Sequence, residues 1–362
     1  MFVLDSHCDT PSMLMRGREI GKDNKRGHVD LPKLKAGGVD GSFFALFTRQ
    51  SMQPDAATRY ALQMLGSIND AVAANKGSAS LAKNPAEAFE NKAKGLVSIF
   101  IGMENGLPVQ KSLSLLRVFH KLGVSYLTLT HNGDNQIADS ASEGTHWNGL
   151  SPFGREVVAE MNRLGMIVDI AHASDKTFYD CLQVSKTPIV STHSCCRALA
   201  HHRRNMTDEM IRAMADKGGV IQINFYPVFL SDAFDETLAK SGLGDKDWIE
   251  DEWIADPFNK EKTDAWNVVL DEYAALERPS FKVVADHIDH AVKVGGIEHV
   301  GIGSDFDGIE VTPKGLENVS KLPVLFDELR NRGYSDDAVE KIAGGNFLRV
   351  WNDVLSNAEQ DA

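Results

Sequence analysis

The stretch Phe2-Val-Leu-Asp-Ser-His-Cys-Asp9 decides how this sequence is interpreted. Its apolar beginning predicts a buried strand, and the strand ends in the pair His7 and Asp9. Residues two apart on a strand project from the same face, so this imidazole and this carboxylate can reach one metal ion together. A single His-x-Asp pair is weak evidence, because chance and loop hydrogen bonding produce many. The prediction of a metal site therefore depends on whether other strands end in similar residues.

Eight short apolar runs rich in β-branched residues predict strands at 2–6, 41–47, 96–102, 124–130, 166–170, 188–192, 219–225 and 299–304. Their nearly continuous hydrophobicity is typical of strands buried on both faces of a parallel sheet. Helical patterns lie between them, at 54–75, 112–122, 152–164, 176–185, 207–217 and 281–295. This alternation favours a distorted (β/α)₈ TIM barrel over an open doubly wound sheet. No Gly-x-Gly-x-x-Gly follows the first strand to support a dinucleotide site.

One segment departs from the alternation. Residues 227–280 form a long polar insertion between the seventh and eighth strands, with tryptophans at 248, 253 and 266. We expect it near the barrel mouth, as a lid or a subunit contact, although a surface excursion without a role is an equal alternative. The tail at 335–355 predicts a helix or a helix pair with a boundary at Gly344-Gly345. Residues 1–362 are predicted to form a single metal-dependent hydrolase domain.

Composition restricts the class of protein. Of 362 residues, 43% are hydrophobic and 25% charged, which is normal for a globular enzyme. The net charge of −13, from 38 basic and 51 acidic residues, argues against nucleic acid or an anionic membrane as partner. Four cysteines are too few for a disulfide framework, and no apolar run approaches the roughly 20 residues that span a bilayer. Since the first residues already predict a strand rather than a secretory signal, we expect a cytoplasmic protein.

Metal-binding side chains recur at the carboxyl ends of the predicted strands, where barrel enzymes place their active sites. Six of the eight strands end in such a group, and the set is His7, Asp9, Glu104, His131, His172, His193 and Asp305. Each has an ordinary alternative: a lone histidine is usually structural, and Asp305 and Asp307 could be turn formers. The joint pattern favours a metal site.

The chemistry of this set fits a hydrolase. Imidazole and carboxylate groups suit zinc, and catalytic zinc sites keep one position open for water. Two zinc ions about 3.5–4 Å apart can share a bridging hydroxide that attacks a carbonyl. Such a pair needs a bridging carboxylate, for which Glu104 on a middle strand is the natural candidate. Cys8 points to the opposite strand face, so we expect it to pack in the core.

Seven motifs, in order along the chain, resemble those of the membrane (renal) dipeptidase family, zinc dipeptidases of the amidohydrolase superfamily. They are Asp5-Ser-His-Cys-Asp9, Gly102-Met-Glu-Asn-Gly106, Leu127-Thr-Leu-Thr-His131, Val168-Asp-Ile-Ala-His-Ala-Ser174, Thr192-His-Ser194, Arg203-Arg-Asn205 and Gly303-Ser-Asp-Phe-Asp-Gly308. The resemblance implies two Zn²⁺ per subunit, a homodimer and a free dipeptide as substrate. One zinc would be held by His7, Asp9 and Glu104, and the second by Glu104, His172 and His193.

The same resemblance implies the catalytic and substrate-binding residues. Glu104 would bridge the metals, while His131 would stabilise the oxyanion of the tetrahedral intermediate. Arg204 would bind the C-terminal carboxylate of the dipeptide with its planar fork. Asp305 would lie near the substrate amine and carry a proton from the water to the leaving group. A tyrosine of animal members aligns with Phe229, a departure that bears on substrate preference.

Alternatives stay open at this point. Within the superfamily, the chain could hydrolyse another small amide, an N-acyl amino acid or a lactone. A different class of protein, a catalytically silent metal-binding protein, is disfavoured because the whole ligand set is present in the sequence.

Overall fold

The structure, a computed structural model, describes residues 1–142 and 145–359. In these residues there are nine strands: β1 (Leu4–Cys8), β2 (Gly41–Phe47), β3 (Ala79–Leu81), β4 (Val97–Glu104), β5 (Val124–Thr128), β6 (Ile167–Asp169), β7 (Val190–Ser194), β8 (Val220–Ile223) and β9 (Val300–Ile302). The α-helices are α1 (Thr10–Leu14), α2 (Leu31–Ala36), α3 (Pro54–Ala74), α4 (Pro85–Ala93), α5 (Leu113–Lys121), α6 (Pro152–Leu164), α7 (Asp175–Val184), α8 (Asp208–Asp216), α9 (Pro227–Leu230), α10 (Asp232–Ser241), α11 (Asp247–Ala255), α12 (Lys260–Ala275), α13 (Lys282–Gly295), α14 (Leu322–Asn331), α15 (Asp336–Glu340) and α16 (Asn346–Ser356).

Eight of these strands form a nearly closed parallel barrel in the order β1-β2-β4-β5-β6-β7-β8-β9. After β9, the chain returns to β1: the Asp305 N–H donates to the His7 carbonyl at 3.1 Å, and the Asp9 N–H donates to the Phe306 carbonyl at 2.8 Å. The predicted (β/α)₈ barrel is therefore confirmed, with every predicted strand present. The additional strand, β3, was not predicted. It is three residues long and pairs with β4 outside the barrel path.

A layer of apolar side chains fills the barrel below the strand ends. Seven strands each contribute one member to a buried cluster: Leu4, Phe43, Phe100, Tyr126, Ile167, Val190 and Val220. Phe347 and Trp351 of α16 pack against this layer from the opposite end to the site. The layer gives the polar residues above it a rigid, dry floor.

The C-terminal segment is a helix pair with a boundary at the glycines, as predicted. A short π-helical turn, Lys341–Gly345, joins α15 to α16, and the backbone departs from helical geometry at Gly344. A Cβ atom at Gly344 would lie 2.7 Å from the carbonyl oxygen of Phe2. Only glycine permits this close approach, which lets α16 cover the end of the barrel.

The segment 227–280 folds into α9 to α12 over the carboxyl ends of the strands. It has its own small apolar cluster, which includes Phe234, Trp266 and Tyr273. Arg49, two residues beyond β2, forms ion pairs with Glu250 and Asp251 of α11 and so ties the insertion to the barrel rim. None of the described helices combines the length and the apolar character that a bilayer-spanning helix requires.

Candidate metal centre and active site

The barrel gathers the predicted metal-binding side chains at one end. His7 lies on β1, Glu104 is the last residue of β4, and His193 lies on β7. Asp9 and Asp305 follow β1 and β9, whereas His131 and His172 lie in the loops after β5 and β6. The first three, together with Asp9 and His172, are buried, while His131 and Asp305 are partly exposed. Parallel strands place their carboxyl ends at the same edge, which explains the convergence.

Glu104 stands at the centre of this group. Its Oε1 lies 3.0 Å from the Nε2 of His172 and 3.4 Å from the Nε2 of His193. Its Oε2 lies 3.4 Å from the Nε2 of His7. The two carboxylate oxygens therefore face two different sets of imidazoles.

In each of these imidazoles, the Nδ1 atom, which faces away from Glu104, lies close to an oxygen atom. His7 Nδ1 lies 2.8 Å from the Tyr126 hydroxyl, and His172 Nδ1 lies 3.0 Å from Asn132 Oδ1. His193 Nδ1 lies 2.9 Å from Thr192 Oγ1. The Asn132 amide oxygen and the Thr192 hydroxyl, whose own proton goes to Asp169, accept protons from Nδ1 of His172 and His193, which leaves Nε2 of these two rings unprotonated.

Thr192 is itself held in place by hydrogen bonds to Asp169. Thr192 Oγ1 donates to Asp169 Oδ2 at 2.6 Å, and Asp169 Oδ1 also accepts the Thr192 N–H at 2.9 Å. The lone pair of the Thr192 hydroxyl is thus directed to His193. Asp169 acts on the site through Thr192 and determines which tautomer His193 adopts.

In the part of the chain that the structure describes, the Nε2 atoms that face Glu104 have no hydrogen-bond donors opposite them. His172 Nε2 and His193 Nε2 are 3.0 Å apart, and among the described residues neither His7 Nε2 nor Asp9 Oδ1 has a hydrogen-bond partner. Lone pairs that face each other in a buried site are unfavourable unless a cation lies between them.

The acidic groups point to the same requirement. Burial and the nearby Glu104 carboxylate raise the pKa of Asp9 to about 7. Burial opposes the ionisation of Glu104, but the charge of the His7 imidazole beside it holds its pKa well below the ordinary value. Donor atoms of three combinations lie within 4.8 Å of one another: His7 with Glu104 and His193, Glu104 with His131 and His172, and His7 with Asp9 and Asp305. Imidazole nitrogens and carboxylate oxygens are the ligands that zinc accepts, so the residues present fit the metal that the sequence predicts.

Two of these residues have an uncommon backbone conformation. His172 has φ of 66° and Asp305 has φ of 63°, in the left-handed region that favours glycine. Such backbone geometry is kept where the surrounding structure enforces it, often at functional sites. Asp305 is also fixed through its side chain, because its Oδ2 accepts the Asn224 amide N–H at 2.9 Å.

His131 stands at the edge of the group. Its ring lies between Phe47 and His172, with centroid distances of 4.7 and 4.2 Å, and its Nε2 is 4.0 Å from Glu104 Oε1. Burial lowers the pKa of His131 to about 4. The imidazole is therefore neutral near pH 7 and can donate through one N–H group.

Arg204 is buried, whereas its neighbour Arg203 is exposed. The Arg204 guanidinium donates to the His193 carbonyl at 3.2 Å and lies 5.3 Å from the centre of the Phe229 ring. Its Nε has no hydrogen-bond partner among the described residues. Burial lowers the pKa of Arg204 to about 10, so the group keeps its positive charge at neutral pH.

A cavity of about 960 Å³ lies above these residues. Asp9, Glu104, His131, His172 and Asp305 line it, and so does Phe229, against whose ring the Arg204 guanidinium lies. The insertion supplies part of the wall, through residues that include Glu250, Trp253, Ile254, Trp266 and Leu270. The cavity is large enough to admit a small polar molecule to the metal-binding group.

The sequence did not reveal the partners of the imidazoles. Tyr126 is one residue of an apolar strand, and nothing in the sequence relates its hydroxyl to His7. Asn132 follows His131 directly, which is the one signal that could have found it. Cys8 was interpreted correctly: its buried Sγ contacts Ser42 and Thr10 instead of the metal-binding group.

Tyr126→Phe should weaken metal binding, because it removes the hydroxyl that fixes His7 Nδ1 and keeps the ring. We expect the affinity for zinc to fall by about tenfold or more, the usual effect of losing such a partner. Competition with a chromophoric chelator measures this. Tyr334→Phe is the matched control, since it removes a remote hydroxyl that bonds to Asp289 at 2.8 Å. Equal zinc affinity in the two variants would contradict the assigned role of Tyr126.

Comparison with known proteins places this site in a family. The family described as membrane dipeptidase (Peptidase family M19) matches residues 1–362. An uncharacterized dipeptidase of Schizosaccharomyces pombe is 34% identical over 373 residues, which covers 96% of this chain and 79% of that protein. Among solved structures, the probable dipeptidase PvdM from Pseudomonas aeruginosa superposes with a TM-score of 0.85 at 28% identity, covering 99% of this chain and 96% of that chain.

A second solved structure carries a ligand. It is a metallo peptidase from Rhodobacter sphaeroides with a phosphinate mimic of the dipeptide L-Ala-D-Ala, at a TM-score of 0.82 and 26% identity. The alignment covers 98% of this chain and 99% of that chain. Because the family matches the whole sequence and the solved structures are closely similar, this chain belongs to the membrane dipeptidase family, peptidase family M19.

Proposed function

We propose that this protein is a zinc-dependent dipeptidase that hydrolyses the peptide bond of free dipeptides. One observation carries the proposal: three imidazoles, each fixed through Nδ1, direct Nε2 at the two oxygens of Glu104 beside the buried carboxylate of Asp9. The family membership reported above agrees with it.

We assign two zinc ions to the site. His7, Asp9 and Glu104 would hold one, and Glu104, His172 and His193 would hold the other. The two faces of Glu104 support its bridging role, since Oε2 lies near His7 while Oε1 lies near His172 and His193. When bound, the metal pair supplies a water molecule of lowered pKa and polarises the scissile carbonyl.

The substrate carboxylate would bind to Arg204. Its guanidinium is buried, charged and without a carboxylate partner among the described residues, and its planar fork matches a carboxylate. A longer peptide has an amide where the carboxylate of a dipeptide lies, so this contact would limit the enzyme to dipeptides. Arg203, exposed to solvent, is a poorer candidate.

His131 and Asp305 would act on the reacting groups. The neutral imidazole of His131 would donate its N–H to the oxygen that becomes negative as the carbonyl is attacked. Asp305 has one oxygen engaged by Asn224, which leaves the other to accept a proton from water and return it to the leaving amine. Both side chains line the cavity, where a substrate can reach them.

The expected substrates include L,L-dipeptides and dipeptides with a D-residue at the C-terminal position. The dipeptide mimic bound to the Rhodobacter sphaeroides protein has that stereochemistry and supports the second class. A single domain over 1–362, a homodimer and a cytoplasmic location stay predictions from the sequence.

A panel of L,L- and L,D-dipeptides, tested with and without a chelator, checks the proposal. Zinc-loaded protein should release free amino acids, lose this activity after thorough metal removal, and regain it with added zinc. Undiminished hydrolysis by metal-free protein would contradict the metal mechanism. Hydrolysis of an N-acyl amino acid or a lactone, with no dipeptide cleaved, would favour those alternative substrates.

Arg204→Gln should abolish the enzyme's preference, measured as kcat/KM, for a dipeptide over the corresponding dipeptide amide, which lacks the carboxylate. We expect kcat/KM for the dipeptide to fall by about 100-fold, in the range for loss of one partner of a buried charge pair. The amide, a poor substrate from the start, should change little. Arg203→Gln, at the exposed neighbour, is the control. Equal losses on both substrates would argue against carboxylate binding by Arg204.

A further inference from the structure

Several arginines line the cavity in addition to the proposed metal ligands. Among the described residues, four arginines line the cavity: Arg16, Arg18, Arg26 and Arg49. Three of them already have carboxylate partners. Arg18 pairs with Asp307 at 2.5 Å, Arg26 pairs with Asp271 at 2.9 Å, and Arg49 pairs with Glu250 and Asp251.

Arg16 differs from the other three. It forms no ion pair with any residue that the structure describes. Its guanidinium lies 4.5 Å from the centre of the Trp253 ring, and its Nη1 lies 3.9 Å from the Met13 sulfur. Neither contact supplies a negative charge, so the guanidinium has no paired carboxylate among the described residues.

The position of Arg16 relates it to the proposed active site. It lies two residues beyond α1, the short helix that follows Asp9, and it lines the same cavity as Asp9. The titratable groups close enough to influence it are Tyr60, Glu250, Arg49 and Asp9. Asp9 belongs to the proposed metal site and Glu250 pairs with Arg49, so neither carboxylate is available to Arg16 alone.

Burial makes a cation without a paired carboxylate costly. Partial burial removes water from the guanidinium and lowers the pKa of Arg16. The aromatic face of Trp253 compensates only in part, because a cation–π contact is weaker than a paired carboxylate in the same setting. A carboxylate from outside the protein would satisfy both the charge and the fork of N–H donors.

We infer that Arg16 forms a subsite for the acidic side chain of a substrate, so that the preferred dipeptides contain glutamate or aspartate. This inference rests on the proposed dipeptidase function. Arg204 would then bind the terminal carboxylate, and Arg16 the carboxylate of the side chain. The contact with Trp253 of the insertion gives the subsite a wall that the barrel itself does not supply.

A purely structural role for Arg16 makes a different prediction. If the arginine served only to hold Trp253 in place, its loss would alter all substrates to the same extent. A side-chain subsite instead makes the acidic substrates selectively sensitive. Isosteric pairs distinguish the two roles: glutamyl-alanine against glutaminyl-alanine, and alanyl-glutamate against alanyl-glutamine.

The test measures kcat/KM for both pairs with the zinc-loaded wild type and with Arg16→Gln, Arg16→Lys and the control Arg26→Gln. In at least one pair the wild type should prefer the acidic member by about tenfold or more, as expected for a charge-assisted bidentate contact. Arg16→Gln should remove this preference, Arg16→Lys should keep part of it, and Arg26→Gln should keep it whole. No acidic preference in the wild type, or equal losses on both members in Arg16→Gln, would overturn the inference while dipeptidase activity stood.

Binding provides a readout that does not need turnover. Two phosphinate dipeptide mimics, one with a carboxylate side chain and one with the corresponding amide, are titrated calorimetrically into the zinc-loaded wild type and Arg16→Gln. Tighter binding of the acidic mimic that depends on Arg16 would support the subsite, even if no dipeptide were hydrolysed and the proposed function failed. Equal affinities for the two mimics, or no binding of either, would overturn it.

Discussion

The structure depends on one electrostatic constraint, the burial of imidazoles and carboxylates, the proposed metal ligands, beside one another. The Nε2 atoms of His172 and His193 face each other at 3.0 Å, and the carboxylates of Asp9 and Glu104 lie beside them in a buried site. Neutral imidazoles offer lone pairs, and carboxylates offer negative charge. A divalent cation would convert these mutually unfavourable neighbours into ligands.

The barrel makes this arrangement possible at tolerable cost. Its floor of apolar side chains is rigid, and Tyr126 belongs both to that floor and, through its hydroxyl, to the support of His7. The return of the chain from β9 to β1 brings Asp305 beside His7, with a backbone hydrogen bond of 3.1 Å between them. The insertion then encloses the space above. The proposed metal ligands, the floor beneath them and part of the cavity wall above them therefore come from separate parts of one chain.

Much of the fold could be predicted from the sequence because parallel barrel strands are buried on both faces and leave a clear apolar signal. The strand ends were also informative, since His, Glu and Asp interrupt that signal at regular places. Other features left no local signal. The bonds from Tyr126 and Asn132 to histidines depend on register and rotamers, and β3 is too short to be recognised. The contact of Arg16 with Trp253 joins positions more than 200 residues apart, which only the tertiary fold reveals.

The central claim is that Glu104 joins two metal ions into one centre, and metal content per subunit tests it most directly. Wild-type protein, loaded with zinc and freed of excess metal, should contain two ions per subunit by elemental analysis. Glu104→Gln keeps the size of the side chain and removes its charge, so it should retain fewer ions under the same conditions while remaining folded by circular dichroism. Two ions per subunit, held by this variant as tightly as by the wild type, would contradict the account.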